Sequence, residues 1–366
     1  MESIQNKYTS LQKGFSLVEL MVGVAIGLIA TLIISQTMGV FQGQQRSTTG
    51  TADAQTNGGI ALYSINRELK MAGYPLLPTG EGGTSDSVFD CATINANTAV
   101  SGVVSISPVS ILNGTSDSVT IRYGDTQNGG IPTKIATYTN ASDSNLGNYS
   151  SVNVQNAWGC NANDVVVITG GNVCDLRKVV PTTAVSGSSV EPILENNTGS
   201  YVRITNQPSG SLSNYDFACL GNWNEVTYAV NGGNLERNGV PVVTNVVNLQ
   251  AQYGISATAN SNQITQWVDA TGGWVTPSVA DRNRIKALRI AVVAQNSQID
   301  KSVVTTDCDQ ATFTGLCAWQ DVTIAGVDSP APDIDLSATS DWNKYRYRVF
   351  ETIIPLRNMV WAKSTL

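Results

Sequence analysis

Glu19 is the residue whose type and position ask most plainly for a chemical reason. It is the only charged side chain between Phe15 and Ile34, in an otherwise apolar run, and the next charge is Arg46. A carboxylate at the centre of a bilayer costs on the order of 2.5–3.5 kcal/mol on insertion scales, so an intramembrane acid points to function. A partner cation makes such a charge tolerable. Beyond Glu19 the reactive inventory is thin. The chain has no histidine, which removes Ser-His-Asp and Cys-His catalysis and the commonest zinc ligand.

Cys91, Cys160, Cys174, Cys219, Cys308 and Cys317 form no CxxC pair. Behind a membrane-targeting N-terminus they read as disulfides of an oxidising compartment, with no metal site. Proximity in sequence favours Cys160–Cys174 and Cys308–Cys317, leaving Cys91 with Cys219. The Asp-rich stretches 305–310 and 327–335 have the oxygen chemistry for Ca²⁺, but neither has EF-hand spacing, and both read as solvated loops with no cofactor. Trp158, Trp223, Trp267, Trp274, Trp319, Trp342 and Trp361 would suit a sugar or partner surface, yet a large β core uses such residues anyway. No catalytic constellation emerges.

The elements that position Glu19 are clearer. About 20 apolar residues span a bilayer, and the run opening at Phe15 supplies them. A secretory signal would end in a small-x-small site and a turn, whereas "SQTMGVFQGQQRSTTG" continues without one, and no proline precedes Pro75. Neither a signal peptide nor a plain anchor accounts for Glu19. The helix is expected to run on to about Ala72, because Leu62, Ile65, Leu69 and Ala72 fall on one stripe while Ser64, Arg67 and Lys70 face away. Gly73 and Tyr74-Pro75 stop it. Gly58-Gly59 is a candidate bend or local break, and the pairs Gly23/Gly27 and Gly39/Gly43 permit close helix contact.

After the helix, short Val-, Ile-, Thr- and Tyr-rich segments alternate with Gly, Asn and Ser clusters, the pattern of a β-rich body. In "NVVNLQAQYGI" the expected apolar face is Val247, Leu249, Ala251, Tyr253 and Ile255. In "KALRIAVVAQ" it is Leu288, Ile290 and Val292. "EVTYAVNGGNLERNG" reads as a hairpin turning at Asn231–Asn234. Strands are also expected at 119–124, 164–170 and 201–205. The last, 345–356, carries a phase shift near Val349-Phe350 that suggests a bulge, and Pro355 confines it to an edge. The fold class is therefore α+β: a long N-terminal helix, its first half transmembrane, packed on a large β-rich head. With 13% charged residues and a net charge of -7, the chain is unsuited to a nucleic-acid partner.

Lys13-Gly14-Phe15-Ser16-Leu17-Val18-Glu19-Leu20 resembles the class III signal of type IV pilins and type II secretion pseudopilins. The resemblance implies cleavage by the prepilin peptidase between Gly14 and Phe15, N-methylation of Phe15, and a Glu19 that meets the new α-ammonium on a neighbouring subunit. "GYP" after the helix, "NLQAQYGI", "IKALRIAVVAQ" and "RYRVFETIIPLRNM" resemble landmarks of PilW-type minor pilins, although the cysteine often found just after the Gly-Tyr is absent here and the first is Cys91. What the resemblance implies is a leader at 1–14, a pilin helix at 15–73 (about 15–35 in the membrane) and a head at 74–366. It further implies a single-pass inner-membrane protein with a periplasmic head, later part of the extracellular pilus. The implied partners are other minor pilins, the major pilin and a large tip adhesin, and the implied role is to prime assembly near the fibre tip. A J-type pseudopilin is the alternative within the superfamily; a tethered surface enzyme or lectin is the alternative outside it.

Overall fold

The first described element is a helix, α1 (Leu17–Leu69), 53 residues long. The computed structural model describes residues 14–76, 93–96, 106–126, 133–139, 149–154, 160–170, 173–179, 200–205, 215–324 and 326–361. The chain divides into two compact units, Met1–Ala52 and Asp53–Leu366. In the first, α1 is long and apolar enough to cross a bilayer, and its leucines, isoleucines and valines from Leu17 through Ile34 are exposed.

The second unit begins with the rest of α1. Ala54, Gly58, Ala61, Ile65 and Leu69 are buried at three- and four-residue spacing, followed by Ala72, while Arg67 and Lys70 are exposed. That is the stripe expected of a helix with one face on a core. Gly58-Gly59 makes no break, because α1 continues through both residues. Gly58 serves packing: a Cβ there would lie 2.1 Å from the Phe350 ring, whereas one on Gly59 would meet nothing.

The described strands, in chain order, begin with β1 (Thr93–Ala96), β2 (Val109–Leu112), β3 (Ser118–Gly124), β4 (Thr133–Thr139), β5 (Tyr149–Val154) and β6 (Val165–Gly170). Next come β7 (Val173–Lys178), β8 (Ser200–Thr205), β9 (Asp216–Gly221), β10 (Trp223–Asn231), β11 (Asn234–Arg237) and β12 (Val240–Thr244). The series ends with β13 (Val246–Ser256), β14 (Ile264–Val268), β15 (Ile285–Ile299), β16 (Val322–Ile324), β17 (Val327–Ser329) and β18 (Tyr345–Pro355). They form a seven-stranded sheet β1-β7-β6-β9-β4-β5-β8, a five-stranded sheet β12-β11-β10-β3-β2, a four-stranded sheet β14-β13-β15-β18 and the pair β16-β17. The β10–β11 hairpin turns through Gly232 and Gly233 at φ 55° and 75°. Both central residues must take positive φ in a type I′ turn, which glycine does without strain.

The main core gathers Ile65 and Leu69 of α1, Val119 and Ile121 of β3, Val226 and Tyr228 of β10, and Leu249, Ala251 and Tyr253 of β13. Leu288, Ile290 and Val292 of β15 complete its centre. Strand β6 is apolar on both faces because both are covered: Val165 and Val167 meet this core, while Val166 and Ile168 meet a second cluster with Phe217.

The alternation in β13 departs from expectation at its start. A register shift between Val246 and Asn248 puts Val246 on the core side with Leu249, and Val247 on the opposite side, against Ala291 and Val293. The polar face of β13 is buried as well. Gln252 Nε2 donates to Asp269 Oδ1 at 2.6 Å and to the Pro330 carbonyl at 3.1 Å. Arg289 Nε donates to Gln252 Oε1, and its guanidinium lies between Trp267 and Trp319, at 5.3 and 5.0 Å from the ring centres. Burial pulls the Arg289 guanidinium down to about 10.

In β18 no bulge occurs at Val349-Phe350; its pairing with β15 is regular there, and the shift falls at Gln295/Ile299. The apparent phase change has another cause. Tyr347 and Val349 pack on the cluster under residues 316–336, whereas Ile354 faces the main core. Each end of the strand is buried on a different face.

Candidate subunit-contact site

Gly14 and Phe15 lie in irregular chain just before α1, both exposed, with nothing near Gly14. The helix opens at Ser16. Its Oγ accepts from Val18 N–H at 3.3 Å, its carbonyl accepts from Leu20 N–H at 3.2 Å, and its own N–H donates to Glu19 Oε2 at 3.3 Å. Ser16-x-x-Glu19 is therefore a variant of the capping box, with Ser16 Oγ taking the second rather than the third helical N–H, and each side chain satisfies an N–H that the first helical turn leaves without a partner. Sequence reasoning passed over this role, although Ser16 three residues before Glu19, at the opening of an apolar run, is its signal. A Cβ added at Gly23, Gly27, Gly39 or Gly43 would meet nothing within 4 Å, so these notches are open on the helix surface.

Within the second unit, polar contacts fix the last turns of α1 to the head. Glu68 accepts from Arg237 Nη2 at 3.0 Å and from Tyr123 OH, and Tyr228 OH donates to the Ser64 carbonyl at 3.4 Å. Burial and the Glu68 hydrogen bond push the Tyr123 phenol up to about 12. Gly73 N–H donates to the Arg122 carbonyl, Gly124 N–H to the Tyr74 carbonyl, and Asn358 Nδ2 to the Ala72 carbonyl.

The cysteines pair differently from the order favoured by sequence proximity. Cys308–Cys317 is present, but Cys160 is bonded to Cys219, with Cα atoms 5.4 Å apart. Cys160–Cys174 and Cys91–Cys219 are thus corrected. The reason is which side of a sheet each sulfur occupies. Cys174 on β7 belongs to the main core, whereas Cys160 and Cys219 share the cluster on the other side of the seven-stranded sheet. Cys174 is disulfide-bonded too, to a partner outside the described residues, where Cys91 also lies.

Asp309 and Asp335, one from each Asp-rich stretch, build turns. Asp309 accepts from Ala311 N–H and Thr312 Oγ1, which hold its carboxyl below the usual range, as Ser337 does for Asp335. Among the described residues no three or more carboxylates and thiols gather closely enough to hold a metal ion. Trp267 and Trp319 stack on Arg289, Trp274 on Arg284 at 5.4 Å, and Trp223 and Trp342 pack against apolar clusters. Trp158 and the Trp361 side chain lie outside the described residues.

An apolar helix opened by this capped glutamate and followed by a β-rich head defines the pilin class. Residues 9–35 match the prokaryotic N-terminal methylation motif. Residues 223–358, which run from β10 through β18, match the type IV pilus-assembly protein W family. Together the two matches support a PilW-type minor pilin of type IV pili. The seven-stranded sheet precedes the matched segment. No curated protein and no solved structure matches the chain.

Proposed function

We propose that this pilin primes type IV pilus assembly and sits near the fibre tip. The observation that carries the proposal is the exposed apolar helix opening on Ser16-x-x-Glu19 inside a methylation motif. On this reading the prepilin peptidase cuts between Gly14 and Phe15, Phe15 is N-methylated, and the helix waits in the inner membrane with the head in the periplasm. During assembly the Glu19 carboxylate leaves its own cap, or shares it, to neutralise the α-ammonium of a neighbouring subunit. Each buried charge is costly alone, and the pair is tolerable.

The tip position rests on bulk. A compact unit extending from Asp53 to Leu366 is unwieldy for a subunit repeated along a fibre, but suits one placed once at its end with other minor pilins, a tip adhesin and the first major pilins. Its work is structural contact, not catalysis. The methylation motif also fits a J-type pseudopilin, and the match to a pilus-assembly family favours the pilus.

The test is deletion and complementation. Cells without the gene should lose most surface pili, and the restored protein should be present in sheared fibres at a small fraction of the major pilin. Normal piliation in the deletion strain would refute the priming role.

A further inference from the structure

The four-stranded sheet ends in an open strand. Among the described residues β18 pairs with β15 alone, and that pairing runs without a register shift from Tyr347 to Pro355. The strand is 11 residues long. Other edges are shorter or protected. Strands β1 and β2 have four residues each and β8 has six. Strand β12 has five, including Pro241, and a bulge beside it. Strand β14 is shielded, since Trp267 N–H donates to Ser329 Oγ and Gln266 Nε2 to the Asp328 carbonyl.

An edge strand turns alternate N–H and C=O groups outward, and the ligand that satisfies such a row is another extended backbone. The flanking side chains narrow its chemistry. Arg348 is exposed and has no carboxylate partner among the described residues. Arg346 is held by Asp300 at 2.9 Å, in a pair whose arginine is exposed and whose aspartate is half-exposed, and surface pairs of this kind are worth little. Both arginines lie on the Phe350 side of the strand. Ile353, on the other side, is 51% exposed. The only carboxylate in β18, Glu351, projects on the face opposite the arginines and accepts Trp319 N–H at 3.0 Å. A second β18 therefore has no carboxylate to offer them.

We infer that β18 accepts an extended strand from a different pilus subunit, acidic where it passes Arg346 and Arg348 and apolar where it passes Ile353. This rests on the pilin reading above. The test uses the full chain in its native cells, with a benzophenone-bearing residue in place of Ile353 or, as a separate control, of Leu28 in the membrane helix. Light should cross-link the 353 probe to one extended segment of another pilin subunit, identified by peptide mass spectrometry. Arg348→Glu should cut that product about tenfold, as like charges repel across an interface, while Arg348→Lys retains it. Cross-links from position 28 but none from 353 would overturn the strand inference alone. Capture of a second copy of this chain at 353 would overturn the choice of partner, and a yield unchanged by Arg348→Glu would overturn the charge argument. Silence at both positions would overturn the pilin-assembly reading itself.

Discussion

Glu19 accepts a hydrogen bond from its own helix start in the single chain, so two roles must be separated at this residue. Glutamine also serves at the third position of a capping box but carries no charge. Glu19→Gln should therefore keep the helix start, membrane insertion and cleavage, yet lose assembly about as fully as Glu19→Ala. Breaking a buried ion pair typically costs about 3–5 kcal/mol. Surface piliation and copurification with other pilins measure this, and normal pili with Glu19→Gln would show that the charge is not used.

Asp117 makes a second prediction at the same scale. Its oxygens accept from Gly114 N–H at 3.0 Å and Ala251 N–H at 2.8 Å, tying the β2–β3 turn to β13. Burial raises its carboxyl to about 6, against the lowering effect of those two bonds, with Asp269 adding to the rise. A folded value above the unfolded one of about 3.9 means a stabilising contribution present below about pH 4 and lost as pH rises through about 6. Thermal unfolding of the purified protein should show this loss. Asp117→Asn should flatten it and also destabilise by about 1–3 kcal/mol, since its amide group turns a donor toward one of the two N–H groups. An unaltered pH profile in the variant would count against the assignment.

At the scale of elements, Gly58 and Gly59 differ although they are neighbours in one helix. Alanine is better than glycine in a helix by about 0.8–1 kcal/mol. Gly59→Ala should gain about that much, because a Cβ there meets nothing, whereas at Gly58 it meets the Phe350 ring. Overpacking typically costs about 1–3 kcal/mol, so Gly58→Ala should be neutral or destabilising, and Phe350→Leu should relieve it in a double-mutant cycle. Equal gains at both sites in chemical unfolding would deny the contact.

This pair also shows why the sequence was only partly legible. The stripe Leu62-Ile65-Leu69-Ala72, the Asn231–Asn234 turn and the β15 face Leu288-Ile290-Val292 follow from local periodicity and turn chemistry, and all appear. Two glycines in a helix look alike until the partner element is known. The Val247 side depends on a register shift set by β15, and burial of Gln252 and Arg289 depends on residues near Pro330. Cysteine pairing depends on sheet faces that sequence separation does not encode. The Ser16–Glu19 cap is legible in the spacing alone, because Ser followed three residues later by Glu at the head of an apolar run is a local helix-start signature.

In the whole molecule, one N-terminal device is joined to a head whose cysteines are oxidised. Non-reducing peptide mapping should recover Cys160–Cys219 and Cys308–Cys317 and find no free thiol, consistent with the bonded state of the described cysteines. Recovery of Cys160 joined to Cys174 would contradict the arrangement of the seven-stranded sheet. The apolar helix has 0% burial across its membrane-candidate window, and on the proposed reading lipid covers that surface before assembly and other helices cover it afterwards.

Everything proposed for this pilin requires that the helix is kept, uncovered at Phe15 and carried into a fibre. Top-down mass spectrometry of the protein recovered from membranes and from sheared pili tests that requirement. The expected result is one mature species in both fractions, beginning at Phe15, lacking residues 1–14 and carrying one added methyl group on its N-terminal amine. A chain that begins after Ser35, or that retains Met1 through Gly14 within fibres, would contradict it.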